Sequence, residues 1–178
     1  MAATEEKREY LLHWVHRHLD FRLAELNALL RMAGMDPDDA YDPQRVELGT
    51  PFMSARLTLS AKDLLTRRCV LLKGVYEVFG TGKTVDECVA DVKSRSVPRI
   101  AAEHLRPGKS FSIMVQAHGR RCSLDRQNAL RQRFSFLPFQ GDVCLKDPDV
   151  AFWICEEYHL NGDYAAVDAA GAVAAADG

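Results

Sequence analysis

The residues most suggestive of chemistry are G-T-G-K-T at Gly80 to Thr84, which lie between a strand-like and a helix-like stretch. A P-loop has the spacing G-x-x-x-x-G-K-[ST], because that length of backbone is needed to surround the phosphates with N–H groups. If Gly82 and Lys83 are taken as its G-K pair, the first glycine falls at Glu77, whose carboxylate would repel phosphate. The sequence therefore predicts a glycine turn before a capped helix, and not a nucleotide-binding loop.

A second chemical feature is the concentration of arginines in residues 120–133, on a chain whose formal net charge is −2. The planar guanidinium group donates two hydrogen bonds at once to a phosphate. We therefore predict that this stretch binds RNA, with a lysine on either side in the sequence bordering the same area. The predicted RNA-binding residues are Lys109, Arg120, Arg121, Arg126, Arg131, Arg133 and Lys146. The alternative is an ordinary solvated helix face.

Metal-binding and catalytic patterns are not evident in the sequence. On a strand, His13 would point away from His16 and His18, because successive side chains alternate between the two faces. The five cysteines form no C-x-x-C pair, which favours reduced, buried thiols. No nucleophile elbow, HExxH motif or glycine-rich loop for an adenosyl cofactor is found. We expect no catalytic residue, no metal and no cofactor bound by this chain.

Length and composition place the chain among globular proteins. Its 178 residues suffice for one domain or two small ones, and 27% of them are charged. The first ten residues carry charges where a secretory signal needs an apolar core, and no apolar run approaches the roughly 18 residues that span a bilayer. We expect a cytoplasmic protein with no membrane partner.

Turn signals divide residues 1–79 into six elements in the order β-α-β-β-α-β. A helix is expected from an N-cap at Asp20 to a stop at Gly34, and a capping box at Ser60 to Asp63 opens a second helix. The predicted strands are residues 10–16, 45–48, 52–57 and a run from residue 70. The ferredoxin-like fold satisfies this order, with four strands and both helices on one face.

Residues 80–162 are expected to form a second α/β unit. A capping box at Thr84 to Glu87 begins a helix, a second helical stretch reaches Leu105, and another helix begins at Ser123. The predicted strands are residues 111–118, 142–145 and 150–156. Residues 163–178 are rich in alanine and lack large apolar side chains, so we expect a disordered tail.

Three stretches of the sequence are distinctive when taken together: Tyr10 to Gly34, with H-L-D-F-R-L-A-E-L, Arg67 to Ser94, and Phe134 to Asn161, with F-L-P-F-Q-G. They resemble the N-terminal region of the catalytic subunit family that methylates N2 of guanosine 10 in tRNA. Within the last stretch, Val143, Leu145 and Pro148 are similar to the V-x-L-x-x-P pattern of THUMP domains. Val143 and Leu145 are expected to fill one face of a strand, and Pro148 to turn the chain.

The resemblance implies a ferredoxin-like unit followed by a THUMP unit that together hold the acceptor end of tRNA. It also implies S-adenosylmethionine as the cofactor of the complete enzyme and a small zinc-binding activator subunit as its partner. The methyltransferase domain and its P-P-aromatic catalytic motif are not found in this sequence, so the chain alone is expected to be inactive. The alternative function is a protein-interaction or small-ligand-binding ferredoxin-like module without RNA binding.

Overall fold

The computed structural model describes residues 5–15, 19–47, 49–158 and 170–177, the last range and Leu19 by their backbone alone. The chain divides into two compact units, Met1–Glu77 (unit 1) and Val78–Gly178 (unit 2). Both mix helices with strands, so the mixed α/β class expected from the sequence is confirmed. None of the helices in the described ranges is long and apolar enough to cross a membrane.

Unit 1 is a three-stranded antiparallel sheet in the order β2-β1-β3, accompanied by helices. Its elements are β1 (Arg8–Trp14), α1 (Leu19–Met32), α2 (Pro37–Ala40), a 3-10 turn (Pro43–Arg45), β2 (Phe52–Leu57), α3 (Leu59–Arg68) and β3 (Leu72–Gly82), which runs on into unit 2. The core contains Leu12 and Trp14 of the central strand, with Leu30 of α1 and Leu65 of α3.

The strand order is that of a ferredoxin-like sheet without its outer strand, which the sequence predicted at residues 45–48. That prediction is wrong for the described part, because Pro43 opens a 3-10 turn and Val46 and Glu47 lie outside any strand. The backbone carbonyl oxygens of Glu47 and Thr50 instead accept hydrogen bonds from the buried guanidinium of Arg22, at 2.6 and 2.7 Å. These two carbonyl groups are therefore hydrogen-bonded to a side chain and not to a neighbouring strand. Residue 48 lies outside the described residues.

Two predicted helix caps in unit 1 are also corrected. Helix α1 begins at Leu19, so Asp20 lies within its first turn and is not its N-cap. Helix α3 is capped by Thr58, whose hydroxyl oxygen accepts from the N–H of Ala61 at 3.2 Å. Ser60, the predicted cap, instead bonds through its N–H and hydroxyl to the carboxylate of Glu5.

Unit 2 contains a parallel β-α-β arrangement. Its elements after β3 are α4 (Val85–Arg95), α5 (Val97–Glu103), β4 (Phe111–His118), α6 (Leu124–Gln132), β5 (Val150–Glu157) and β6 (Ala170–Asp177). Strands β4 and β5 are parallel and joined through α6, whereas β6 is antiparallel to β5. Phe79, Val92, Ile100, Phe134 and Phe152 belong to the core of this unit.

The capped helix predicted after the G-T-G-K-T stretch is confirmed, but Gly80 to Gly82 belong to the end of β3 and not to a turn. Thr84 accepts from the N–H of Glu87 at 3.1 Å, and the Glu87 carboxylate accepts from the N–H of Lys83 at 2.8 Å. The two bonds form a variant of the capping box, because the carboxylate bonds the residue before the N-cap and not the N-cap itself. A Cβ at Gly82 would lie 2.4 Å from the backbone nitrogen of Cys88, so glycine is needed where strand and helix approach. The N–H of Lys83, which a P-loop would offer to phosphate, is thus bonded to a carboxylate.

Two further segments of unit 2 differ from expectation. Residues 142–145 form no regular strand but a single parallel bridge between Val143 and Phe111. Residues 170–177, within the stretch expected to be disordered, pair with β5 as strand β6. The pairing uses backbone groups, so a strand composed mainly of alanine can form it without large side chains. For residues 163–169 and 178 this expectation falls outside the described residues.

Candidate nucleic-acid interface

The seven predicted RNA-binding residues all lie in unit 2, but they do not form one patch. Lys109 precedes β4, whereas Arg120 and Arg121 follow it. Strand β4 has eight residues, so its two ends are separated by about 26 Å at ~3.3 Å per residue. Lys146 is at the Lys109 end, because Cys144 donates through its N–H to the carbonyl of Phe111 at 2.8 Å and through its Sγ to the carbonyl of Lys146 at 2.9 Å. The cations therefore form separate groups at the two ends of β4.

Each guanidinium nitrogen of Arg131 donates a hydrogen bond within the protein. Its Nε donates to the carbonyl oxygen of Ile113 in β4 at 2.8 Å. Its Nη1 and Nη2 donate to Asn128 at 2.8 Å and to Gln127 at 3.1 Å. The bond to Ile113 attaches α6 to the neighbouring strand, and the other two bonds lie within the helix, so three of the five guanidinium N–H donors of Arg131 are already engaged.

Arg133 and Arg126 also have intramolecular carboxylate partners. Arg133 forms an ion pair with Asp86, and both side chains are at least half exposed. The Nη2 atom of Arg126 donates to Oε1 of Glu156 at 2.8 Å, and the Arg126 side chain keeps 48% exposure while Glu156 has none. The hydrogen bond and the charge of Glu156 raise the pKa of Arg126 above its ordinary value.

Arg120, Arg121, Arg126, Glu156 and Tyr158 lie at the carboxyl end of the parallel strands, and we call them the strand-end cluster. The guanidinium carbon of Arg120 lies 5.8 Å from the centre of the Tyr158 ring, within the range of a cation–π contact. The Tyr158 hydroxyl donates to Oε2 of Glu156 at 2.9 Å. Burial, followed by this hydrogen bond, raises the pKa of Tyr158. Arg121 is exposed and makes no hydrogen bond or ion pair with the described residues.

Lys109, Val143, Leu145 and Lys146 lie at the other end of β4, and we call them the loop cluster. Both lysines are exposed and form no ion pair with the described part of the chain. The expectation that Val143 and Leu145 fill a strand face is wrong, because they are 68% and 78% exposed. The segment pairs with β4 through a single bridge and is not part of a regular strand, so its side chains are not packed on the face of a sheet. The THUMP-like pattern thus presents apolar groups beside lysines.

Glu156 and Tyr158 were not among the predicted site residues, although the sequence carries a signal for the first. Along β5, side chains of alternate residues share one face. Val150, Phe152 and Ile154 form that face and are at most 3% exposed, and Glu156 continues it. A carboxylate in an otherwise apolar alternation must find a partner, which here is Arg126.

Comparison with known proteins assigns residues 8–174 to the sequence model of the Tmrp11 THUMP N-terminal domain. The tRNA (guanine(10)-N(2))-methyltransferase TRMT11 of Gallus gallus is 29% identical over 163 residues, which cover 90% of this chain and 34% of that protein. The tRNA (guanine(10)-N(2))-methyltransferase of Saccharomyces cerevisiae is 28% identical over 153 residues, covering 85% of this chain and 34% of that protein. The chain thus spans about a third of the length of these relatives.

Two solved structures share the fold at low sequence identity. TrmN from Thermus thermophilus superimposes with a TM-score of 0.51 and 13% identity, covering 96% of this chain and 46% of that chain. A predicted N6-adenine-specific DNA methylase from Listeria monocytogenes gives a TM-score of 0.52 and 14% identity, covering 96% and 40% of the two chains. In both comparisons the present chain corresponds to less than half of a larger protein.

Proposed function

Because this chain belongs to the Tmrp11 THUMP N-terminal domain family, we propose that it binds tRNA through basic groups at the two ends of β4. The observation that carries the proposal is the exposure of four cations of unit 2 that form no ion pair with the described residues. They are Lys109, Arg120, Arg121 and Lys146. Exposed cations without an ion-pair partner can neutralise phosphates without first breaking an ion pair.

The relatives of this chain support tRNA as the RNA, since their names describe methylation of guanine 10 in tRNA. We propose that this chain holds the tRNA by its acceptor end while a methyltransferase domain outside this chain modifies the guanosine. S-adenosylmethionine and a small zinc-binding activator subunit then belong to that domain, and the setting is the cytoplasm. The chain itself supplies binding and orientation, which are the contributions of a recognition module to a distant reaction.

Fluorescence anisotropy with a tRNA transcript, at two salt concentrations, tests the proposal. Phosphate contacts release counterions, so the affinity is expected to fall steeply as salt is raised. A transcript without its 3′-terminal nucleotides is expected to bind more weakly if the acceptor end is the site. A salt-independent affinity would refute the phosphate-contact model, and equal affinity for both transcripts would refute the acceptor-end assignment.

A further inference from the structure

Among the described residues of unit 2, Glu156 is the one charged side chain that is completely buried. Its two carboxylate oxygens have different partners. Oε1 accepts from Arg126 at 2.8 Å and Oε2 accepts from the Tyr158 hydroxyl at 2.9 Å. One buried group therefore fixes two side chains that reach the surface at the carboxyl end of the parallel strands.

Stability alone does not require a buried carboxylate at position 156. An apolar residue at position 156 would extend the buried face of Phe152 and Ile154, and replacing a buried ion pair by packed apolar groups is often neutral or stabilising. The reason for a charged residue at this position is therefore sought in the two side chains to which Glu156 is hydrogen-bonded. The groups held are the half-exposed guanidinium of Arg126 and the ring that faces Arg120.

We propose that Glu156 is a positioning residue for RNA, which orients Arg126 and, through Tyr158, Arg120 toward one phosphate of the bound strand. This inference rests on the proposed function and names the contact point within it. Glu156 engages Nη2 of Arg126, and the side chain remains 48% exposed, so a phosphate can approach the other donors of the fork. Tyr158 limits the directions that the Arg120 guanidinium can take.

The replacement Glu156→Gln separates positioning from simple charge. It removes one negative charge beside Arg126, so electrostatics alone predicts tighter RNA binding. If the carboxylate positions the two guanidinium groups, binding instead weakens by about tenfold, which is the scale of one charge-assisted hydrogen bond. The dependence of log affinity on log salt should also become shallower by about 0.7 to 0.9, corresponding to one lost phosphate contact.

The experiment measures tRNA affinity by anisotropy across a salt series, on variants whose folding is checked by circular dichroism and thermal denaturation. Arg126→Lys keeps the positive charge but loses the planar guanidinium group with its several donors. It is therefore expected to weaken RNA binding in the wild-type background, and to cause no further loss of affinity when combined with Glu156→Gln. The matched control is Arg95→Lys, which alters an arginine–carboxylate pair on α4. Its affinity is expected to equal that of the wild type.

The outcomes distinguish this inference from the proposed function. If the wild-type chain binds tRNA with a steep salt dependence but Glu156→Gln binds equally well or more tightly, the positioning role is refuted and the proposed function stands. If Glu156→Gln does not fold, an unchanged affinity of Arg126→Lys refutes the role in the same way. If the wild-type chain does not bind tRNA, the proposed function and this inference both fail.

Discussion

At the residue scale, single carboxylates hold together segments that are far apart in the sequence. In unit 1, Glu25 of α1 accepts hydrogen bonds from the Sγ of Cys69 at 3.0 Å and from the N–H groups of Val70 and Leu71 at 2.8 and 3.1 Å. Burial acts to raise the pKa of Glu25, but the three hydrogen bonds outweigh it and the pKa is lowered. Burial, and then the bond to Glu25, raises the pKa of Cys69 to about 12, so its thiol remains a donor.

Glu25→Gln is expected to lower the free energy of unfolding by about 1–2 kcal/mol near neutral pH, since hydrogen bonds to a charged group are the stronger kind. Because the folded-state pKa of Glu25 is depressed, its contribution is present above the unfolded value of about 4.3 and is lost as pH falls through the folded value. Urea denaturation of both proteins between pH 3 and 7 measures this difference. A difference that does not shrink with falling pH would contradict the assignment.

At the element scale, α6 shows how an arginine-rich helix is attached to a sheet. Only Leu130 among the nine residues of this helix is buried. The helix is instead fixed by Arg131 on the carbonyl of Ile113 and by Arg126 on the buried Glu156. Its arginines therefore replace part of the apolar contact that an amphipathic helix makes.

Arg131→Ala is expected to destabilise the chain by about 1–3 kcal/mol, because it leaves the Ile113 carbonyl without this donor and removes one of the attachments of α6 to the sheet. Arg121→Ala removes the same charge from an exposed position and should stay within about 0.5 kcal/mol of the wild type. Guanidinium chloride denaturation of the two variants makes the comparison. Equal stabilities would show that the bonds of Arg131 are not needed to hold α6.

The elements that the sequence predicted well are those whose signals are local. The capping box of Thr84 and Glu87 and the strand at residues 111–118 both depend on neighbours within a few residues. The strand predicted at residues 45–48 is not formed in the described part, where Arg22, more than twenty residues earlier, donates hydrogen bonds to the carbonyls of Glu47 and Thr50. A long-range side-chain bond of this kind has no periodic signal.

The candidate site was predicted at the level of composition and not of geometry. The arginine stretch was identified, but residue type alone cannot distinguish Arg131, with three intramolecular bonds, from Arg121, with none in the described structure. That distinction depends on which face of α6 meets the sheet. The RNA-binding role of all seven predicted residues remains a prediction, now with a structural division among them.

At the scale of unit 2, the two ends of β4 raise the question of whether one RNA contacts both. The strand-end and loop clusters are about 26 Å apart by the length of β4. The Debye length at physiological ionic strength is about 8 Å, so charges at one end exert little influence on a phosphate at the other. A loss of affinity on removing either group therefore reports direct contact there.

Two double variants, Arg120→Ala/Arg121→Ala and Lys109→Ala/Lys146→Ala, test for simultaneous contact with a single tRNA. If the tRNA spans β4, each pair weakens binding and flattens the salt dependence, and the quadruple variant shows the sum of the two losses within about 0.5 kcal/mol, as expected for sites that share no partner. Arg67→Ala/Arg68→Ala is the charge-matched control, since these exposed residues lie in the last turn of α3 in unit 1. Loss of affinity from only one of the test pairs would confine the interface to that end of the strand, and an equal loss from the control would show that net charge, and not contact, governs binding.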